Sequence, residues 1–219
     1  MNKPDFSFEK RLWKRGFITV AGCDEVGRGC FAGPVVAGCV AFQGEALEPQ
    51  TVMINDSKKM TVKQRELASF WIRKNALSYG IGKASVTQIN KLGIKKSTEI
   101  AFRKAISNSG KKIDYLLVDA FYLPYVKGLR RKKQTPIIKG DSKSFSIAAA
   151  SIIAKVYRDN LMNKIAHKRV YEKYCWERNK GYGTLEHRKA ILKYGISRMH
   201  RKQFVESFIS NYLHPTTYP

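Results

Sequence analysis

Ile18-Thr19-Val20-Ala21-Gly22-Cys23-Asp24-Glu25-Val26-Gly27-Arg28-Gly29 is an apolar run that leads straight into two adjacent carboxylates and then a glycine turn. Residues 17–23 read as a strand and residues 34–42 as a second, both rich in β-branched or small apolar side chains. Residues 28–33 form a turn between them, short enough for an antiparallel hairpin. The acids stand on a chain of 219 residues with a formal net charge of +24. A chain this basic meets a polyanion, and carboxylates facing a polyanion repel it unless cations lie between them. Acids that hold divalent ions against a phosphate resolve that conflict, so the segment points to metal-dependent phosphodiester chemistry.

Further along the chain, Thr61 opens a helix with Gln64 at the reciprocal capping position. Residues 79–86 alternate as a third strand. Helical spacing runs over 95–108, and Gly110 closes it. Residues 113–119 are the clearest buried strand, a continuous apolar run that ends on Asp119. Residues 135–139 form a short strand leading to Gly140-Asp141, and 146–162 a long helix of small and apolar residues. Beyond about residue 170 the pattern turns helical, polar and aromatic. Strand and helix alternation followed by helices predicts an α/β sheet domain. The expected organisation is a lead segment over 1–16, a catalytic core over 17–170 and a helical extension over 171–219 packed on that core.

Asp24, Asp119 and Asp141 are each expected at the end of a strand. In parallel strands of one sheet, all three emerge at the carboxyl edge, where open α/β sheets place their sites. Glu25 adds a fourth carboxylate, and like charges this close need a compensating cation. Hard oxygen ligands select Mg²⁺ or Mn²⁺ rather than zinc. Four carboxylates match a site for two ions. A single Asp at a strand end is more often a turn or helix cap; three such endings beside an Asp-Glu pair exceed that explanation. The turn fits neither the Walker loop nor the dinucleotide glycine pattern. Its glycines flank Arg28 and allow a ligand close to the backbone.

Composition narrows the alternatives. Hydrophobic content of 43% and aromatic content of 11% describe a folded protein rather than a basic tail. No stretch approaches the roughly 20 apolar residues of a membrane helix, and the first residues lack the apolar core of a signal peptide. Cys23, Cys30, Cys39 and Cys175 show no zinc spacing, so they read as reduced thiols of a cytoplasmic protein. The histidines at 167, 187, 200 and 214 are scattered, and a structural or surface role is expected for each. A non-catalytic nucleic-acid binder explains the charge but leaves the strand-end acids without purpose.

Several motifs occur in order: Asp24-Glu25-Val26-Gly27-Arg28-Gly29, Asn55-Asp56-Ser57-Lys58-Lys59, Leu117-Val118-Asp119, Lys139-Gly140-Asp141-Ser142-Lys143-Ser144, the 146–159 helix, Gly181-Tyr182-Gly183-Thr184 and His200-Arg201-Lys202-Gln203-Phe204. Together they resemble the ribonuclease HII family over residues 17–208. Gln203 departs from the Ser often found there, without touching a catalytic role. The resemblance implies a ribonuclease H-like fold with a mixed five-stranded sheet in order 3-2-1-4-5, flanked by helices. It implies hydrolysis of the RNA strand of RNA–DNA hybrids and incision 5′ to single ribonucleotides in duplex DNA, leaving 3′-hydroxyl and 5′-phosphate ends. By the same resemblance, Asp24, Glu25, Asp119 and Asp141 bind two ions of Mg²⁺ or Mn²⁺. Gly27, Arg28 and Gly29 sense the ribose 2′-hydroxyl, and Tyr182 stacks on the neighbouring deoxyribose. Ser57, Lys58, Lys143 and Ser144 are expected to hold phosphates, and Asp159 to brace structure. A cytoplasmic monomer is expected, with RNA–DNA hybrid and ribonucleotide-containing duplex DNA as its partners and no membrane. The sister ribonuclease HIII family usually carries an extra N-terminal domain, whereas about 16 residues precede the first strand here.

Overall fold

β1 (Val20–Val26) and β2 (Val35–Phe42) form the expected antiparallel hairpin, with Val20 opposite Phe42 and Val26 opposite Val36. The computed structural model describes residues 3–43 and 52–213, so His214 lies outside the described residues. β3 (Ser78–Ala84) pairs antiparallel with β2, and β4 (Tyr115–Asp119) pairs parallel with β1. β5 (Gln134–Ile137) continues the parallel side, giving the mixed order β3-β2-β1-β4-β5. The sheet order agrees with the expectation.

Helices close both faces. α2 spans Val62–Asn75, α3 Val86–Asn108 and α4 Phe145–Ala166. Phe102, Ala101 and Ala105 of α3 pack on Val35, Leu116 and Val118. On the other face Phe145, Ala149 and Ile152 of α4 pack with Phe42 and with Ile72 of α2. Each such large apolar side chain contributes roughly 1.5–3 kcal/mol by leaving water. α4 lies very close to β1: a Cβ on Gly22 would come within 2.2 Å of the Ser146 carbonyl carbon. That contact fixes the helix over the strand that carries Asp24.

Several boundaries differ from expectation for local reasons. β1 starts at Val20 and runs to Val26, so Asp24 and Glu25 sit inside the strand rather than beyond it. The long β2 partner extends the ladder past them. Asp141 does not end β5; it lies on a 3-10 turn, Gly140–Ser142, entered through Lys139 at φ 56°. α3 begins at Val86 on a Ser85–Gln88 capping box and is broken at Gly93 (φ 77°), so the spacing over 95–108 reveals only its second half. The Thr61–Gln64 capping box forms as expected.

The lead segment holds a helix, α1 (Ser7–Trp13), that sequence periodicity did not reveal. Its Glu9 is fully buried and accepts from the Ser144 hydroxyl at 2.6 Å and the Ser146 N–H at 3.0 Å. α1 thereby closes the N-terminus of α4, where helix N–H groups lack intrahelical partners. Burial raises the Glu9 carboxyl above its ordinary range. α5 (Trp176–Asn179), α6 (Leu185–Tyr194) and α7 (Lys202–Leu213) complete the chain.

Candidate active site

β1 outruns its parallel neighbour. The β1–β4 ladder ends at Cys23 opposite Val118, while the β1–β2 ladder continues through Asp24 and Glu25. Asp119 directly follows Val118, so it emerges beside Asp24 at the carboxyl edge of the parallel strands. Asp119 Oδ1 accepts from the Gly140 N–H at 2.8 Å, which ties β4 to the turn bearing Asp141. Successive side chains of a strand face opposite ways. Asp24 therefore turns toward Ser151 of α4, which hydrogen-bonds its carboxyl, and Glu25 turns away from that helix.

The acids crowd one another. Burial pushes the Asp24 carboxyl well above its usual range, the neighbouring Glu25 adds to this, and Asp119 and Asp141 add more. Burial also raises Glu25 against the opposing pull of Arg28, with Asp119 contributing. Asp119 rises through burial and the charge of Asp141, opposed by its Gly140 hydrogen bond. The cations that answer them are Lys58, 3.5 Å from Asp141 Oδ2, and Arg28, 3.5 Å from Glu25 Oε1. Those side chains are 79% and 49% exposed, so water screens both pairs. Glu25 Oε2 is buried without any partner. Hard, under-compensated oxygens of this kind fit a divalent cation. Among the described residues no three acidic, His or Cys side chains already converge on one coordination point.

The other wall is built from the glycine turn and the Tyr182 loop. Gly27 adopts φ 84°, and a Cβ there would lie 2.1 Å from Arg158 Nε. Its identity is set by the fold; Gly29 is the one facing open space, with nothing within 4 Å of a built Cβ. Gly27 and Gly29 both line the same cavity, so the backbone on either side of Arg28 is open to a ligand. Arg158 is fully buried on α4 and donates to the carbonyls of Pro34 (3.0 Å), Ala32 (3.1 Å) and Lys180 (2.9 Å). One guanidinium thus clamps the β1–β2 turn against the Tyr182 loop. The Tyr182 ring lies 5.6 Å from Lys155 Nζ and 5.7 Å from the Arg158 guanidinium carbon. Burial, with the hydrogen-bonded Cys30 thiol beside it, pushes the phenol up to about 12, so it stays neutral.

A cavity of about 280 Å³ gathers these parts. Asp24, Glu25 and Asp119 line it together with Gly27, Arg28, Gly29 and Tyr182, and Ser57 and Lys58 reach it from the α2 side. Asp141 is joined to it through Lys58. Ser57 is nearly buried, its hydroxyl 3.0 Å from that of Ser151. Lys143 is exposed two residues past Asp141. Ser144 is corrected: it is fully buried, caps α4 and donates to Glu9, so it does not meet a phosphate. Asp159 accepts from Lys155 at 2.8 Å and lies 3.8 Å from Arg65, a brace between α4 and α2. Lys155 and Ser151 line the cavity and were missed, because the helix carrying them reads as plain core. A larger cleft of about 880 Å³ abuts Arg28 and is lined by Lys95 and Arg131. None of the four acids lines it.

The ribonuclease HII family model matches residues 21–207. Ribonuclease HII of Caldanaerobacter subterraneus subsp. tengcongensis is 46% identical over 202 residues, covering 92% of this chain and 80% of that one. The chain belongs to the ribonuclease HII family. Ribonuclease HII of Bacillus subtilis is 45% identical over 204 residues, 92% of this chain and 76% of its own length. The crystal structure of ribonuclease H2 from Pyrococcus horikoshii OT3 has a TM-score of 0.70 at 26% identity, covering 89% of this chain and 100% of that one. Bst-RNase HIII in complex with Mn²⁺ has a TM-score of 0.62 at 15% identity, covering 88% and 70%, a likeness of fold alone. As a ribonuclease HII family member this chain is an RNase H-type endonuclease, from a family that acts on RNA–DNA hybrids. No helix among the described residues is long and apolar enough to cross a membrane.

Proposed function

We propose that this chain hydrolyses the RNA strand of hybrids and incises 5′ to single ribonucleotides embedded in duplex DNA, leaving 3′-hydroxyl and 5′-phosphate ends. The observation that carries the reading is the shared cavity, which three of the four acids line together with Gly27–Gly29 and Tyr182. Chemistry and sugar recognition then share one cavity.

Asp24, Glu25, Asp119 and Asp141 would hold two divalent ions, Mg²⁺ or Mn²⁺; the Mn²⁺ complex of the related RNase HIII fold is in keeping with this. When bound, such ions polarise the scissile phosphate, activate water and steady the leaving oxygen. The protein's own groups do the rest. The backbone of the Gly27–Gly29 turn and the Arg28 guanidinium meet the ribose and its phosphate; a 2′-hydroxyl both donates and accepts, which a backbone turn can answer. The neutral Tyr182 ring, flanked by Lys155 and Arg158, presents a flat face to the next sugar. A deoxyribose fits against it and a second ribose is disfavoured by its added oxygen. Lys58 and Lys155 attract the backbone phosphates.

The test is a duplex with one internal ribonucleotide, run beside a continuous hybrid with Mg²⁺, Mn²⁺ or EDTA. Metal-dependent nicking 5′ to the ribonucleotide is expected. Cleavage of the hybrid with no nick at the single ribonucleotide would defeat the junction reading and leave the family activity intact.

A further inference from the structure

The segment 199–201 takes no part in the chemistry, yet it touches both recognition elements. It runs alongside the β1–β2 turn, with an isolated antiparallel bridge between Ala32 and His200. The Gly33 N–H donates to Met199 O at 2.9 Å, and the Arg201 N–H to Phe31 O at 2.8 Å. The fully buried Arg201 side chain then donates to Gly33 O (2.9 Å) and, through Nη1, to Arg28 O (2.8 Å). The middle residue of the Gly27-Arg28-Gly29 turn is therefore held by its own carbonyl.

His200 reaches the other way. Its Nδ1 lies 2.9 Å from the Ser197 N–H, which can only donate, so Nδ1 is bare and Nε2 carries the proton. His187 is fixed oppositely: its Nδ1 lies 2.9 Å from Tyr182 O, which can only accept, so Nδ1 carries the proton and Nε2 is bare. Trp176 Nε1 donates to that bare nitrogen at 3.0 Å, and His200 Nε2 lies 3.1 Å from it. The partners at both ends thus force one polarity on the chain, Ser197 to His200 to His187 to the Tyr182 carbonyl. His187, His200 and Trp176 are all at most 1% exposed, so no water competes for these bonds.

We propose that His200 and Arg201 are positioning residues for ribonucleotide recognition. Arg201 fixes the turn that meets the ribose, and His200, through His187, fixes the main chain of Tyr182, which meets the next sugar. Two adjacent residues on one short strap set the spacing between both readers. The inference rests on the junction reading above and adds what holds its two halves in register. It gives the late His200-Arg201 motif a task that the metal chemistry does not.

The experiment is a mutant cycle read as the ratio of kcat/KM on the single-ribonucleotide duplex to kcat/KM on the continuous hybrid. His200→Phe keeps the buried volume and loses the donor; it is expected to lower the ratio about tenfold. His200→Gln retains a donor and is expected to stay within about twofold of wild type. In a Tyr182→Ala background His200→Phe is expected to change the ratio by less than about twofold, because its route is already cut. Equal losses on both substrates, or a further tenfold loss in the Tyr182→Ala background, would overturn the proposal. Should His200→Phe not fold, Arg201→Lys tests the other arm; an expected drop of about threefold supports the strap, and an unchanged ratio overturns it. A wild type that cuts the hybrid and ignores the single ribonucleotide defeats the underlying reading instead, and the two failures are told apart in the same assay.

Discussion

Around Asp24 and Glu25, four carboxylates are met by Lys58 and Arg28, each 3.5 Å away and largely exposed, and one buried oxygen of Glu25 has no partner. Around Tyr182, by contrast, buried donors fasten carbonyl after carbonyl: Arg158 holds Pro34, Ala32 and Lys180, and Arg201 holds Gly33 and Arg28. The chemical wall crowds like charges together, while the recognition wall is tied by many hydrogen bonds, with Arg201 Nη2 its one clamp nitrogen left without a partner. That difference follows from what each must do. A site for cations needs acids that repel until the cations arrive. A ruler for sugars must hold a distance with nothing bound.

Four substitutions probe the contrast. Asp24→Asn strikes the chemical wall and is expected to lower kcat by about a thousandfold or more, as loss of a group acting directly in the transition state does. Binding of uncleaved hybrid should hold or tighten, since a charge facing phosphate is removed; weakened binding would argue against an acid aimed at the substrate. Arg158→Met strikes the clamp. It leaves three carbonyls unpartnered and is expected to cost about 3–5 kcal/mol of stability by urea unfolding. A loss under 1 kcal/mol would mean the recognition wall is held elsewhere.

Tyr182→Ala should reduce cleavage at a single ribonucleotide by about tenfold to a hundredfold and hybrid cleavage much less. Parallel losses would make it a packing residue. The smallest effect is expected at Ala120, which follows Asp119 with φ 65°, a left-handed conformation that costs an L-residue about 1 kcal/mol. Ala120→Gly relieves that strain but gains unfolded-state freedom, for a net stabilisation of about 0.5 kcal/mol. A destabilised Ala120→Gly would show that the backbone there is not strained.

The same contrast explains what the sequence disclosed. Asp24, Glu25 and Asp119 were legible because charge on an apolar strand is conspicuous in residue identity alone. Asp141 was legible as an acid but misplaced, since the 3-10 turn after Lys139 leaves no periodic trace. Ser144 was misread because a serine before a helix suits a phosphate contact and an N-cap equally, and only Glu9, 135 positions away, decides between them. The first half of α3 was hidden by the break at Gly93. The recognition wall was least legible: its clamps end on backbone carbonyls, which every residue possesses. Arg158, His187 and His200 therefore carried no pattern that spacing could expose.

The acids of β1 are expected to weaken the cation-free fold and to be relieved by a divalent ion. Thermal unfolding of wild type and Asp24→Asn at neutral pH, with EDTA and then with Mn²⁺, tests this most directly. Burial raises the folded Asp24 carboxyl above its ordinary value of 3.8, so its ionised form costs stability at neutral pH, and that cost vanishes below the ordinary value, where both states are protonated. In EDTA, Asp24→Asn is therefore expected to melt above wild type. Mn²⁺ should raise wild type and move Asp24→Asn much less. A cation-free Asp24→Asn that melts below wild type, or one that gains as much from Mn²⁺, would contradict the account.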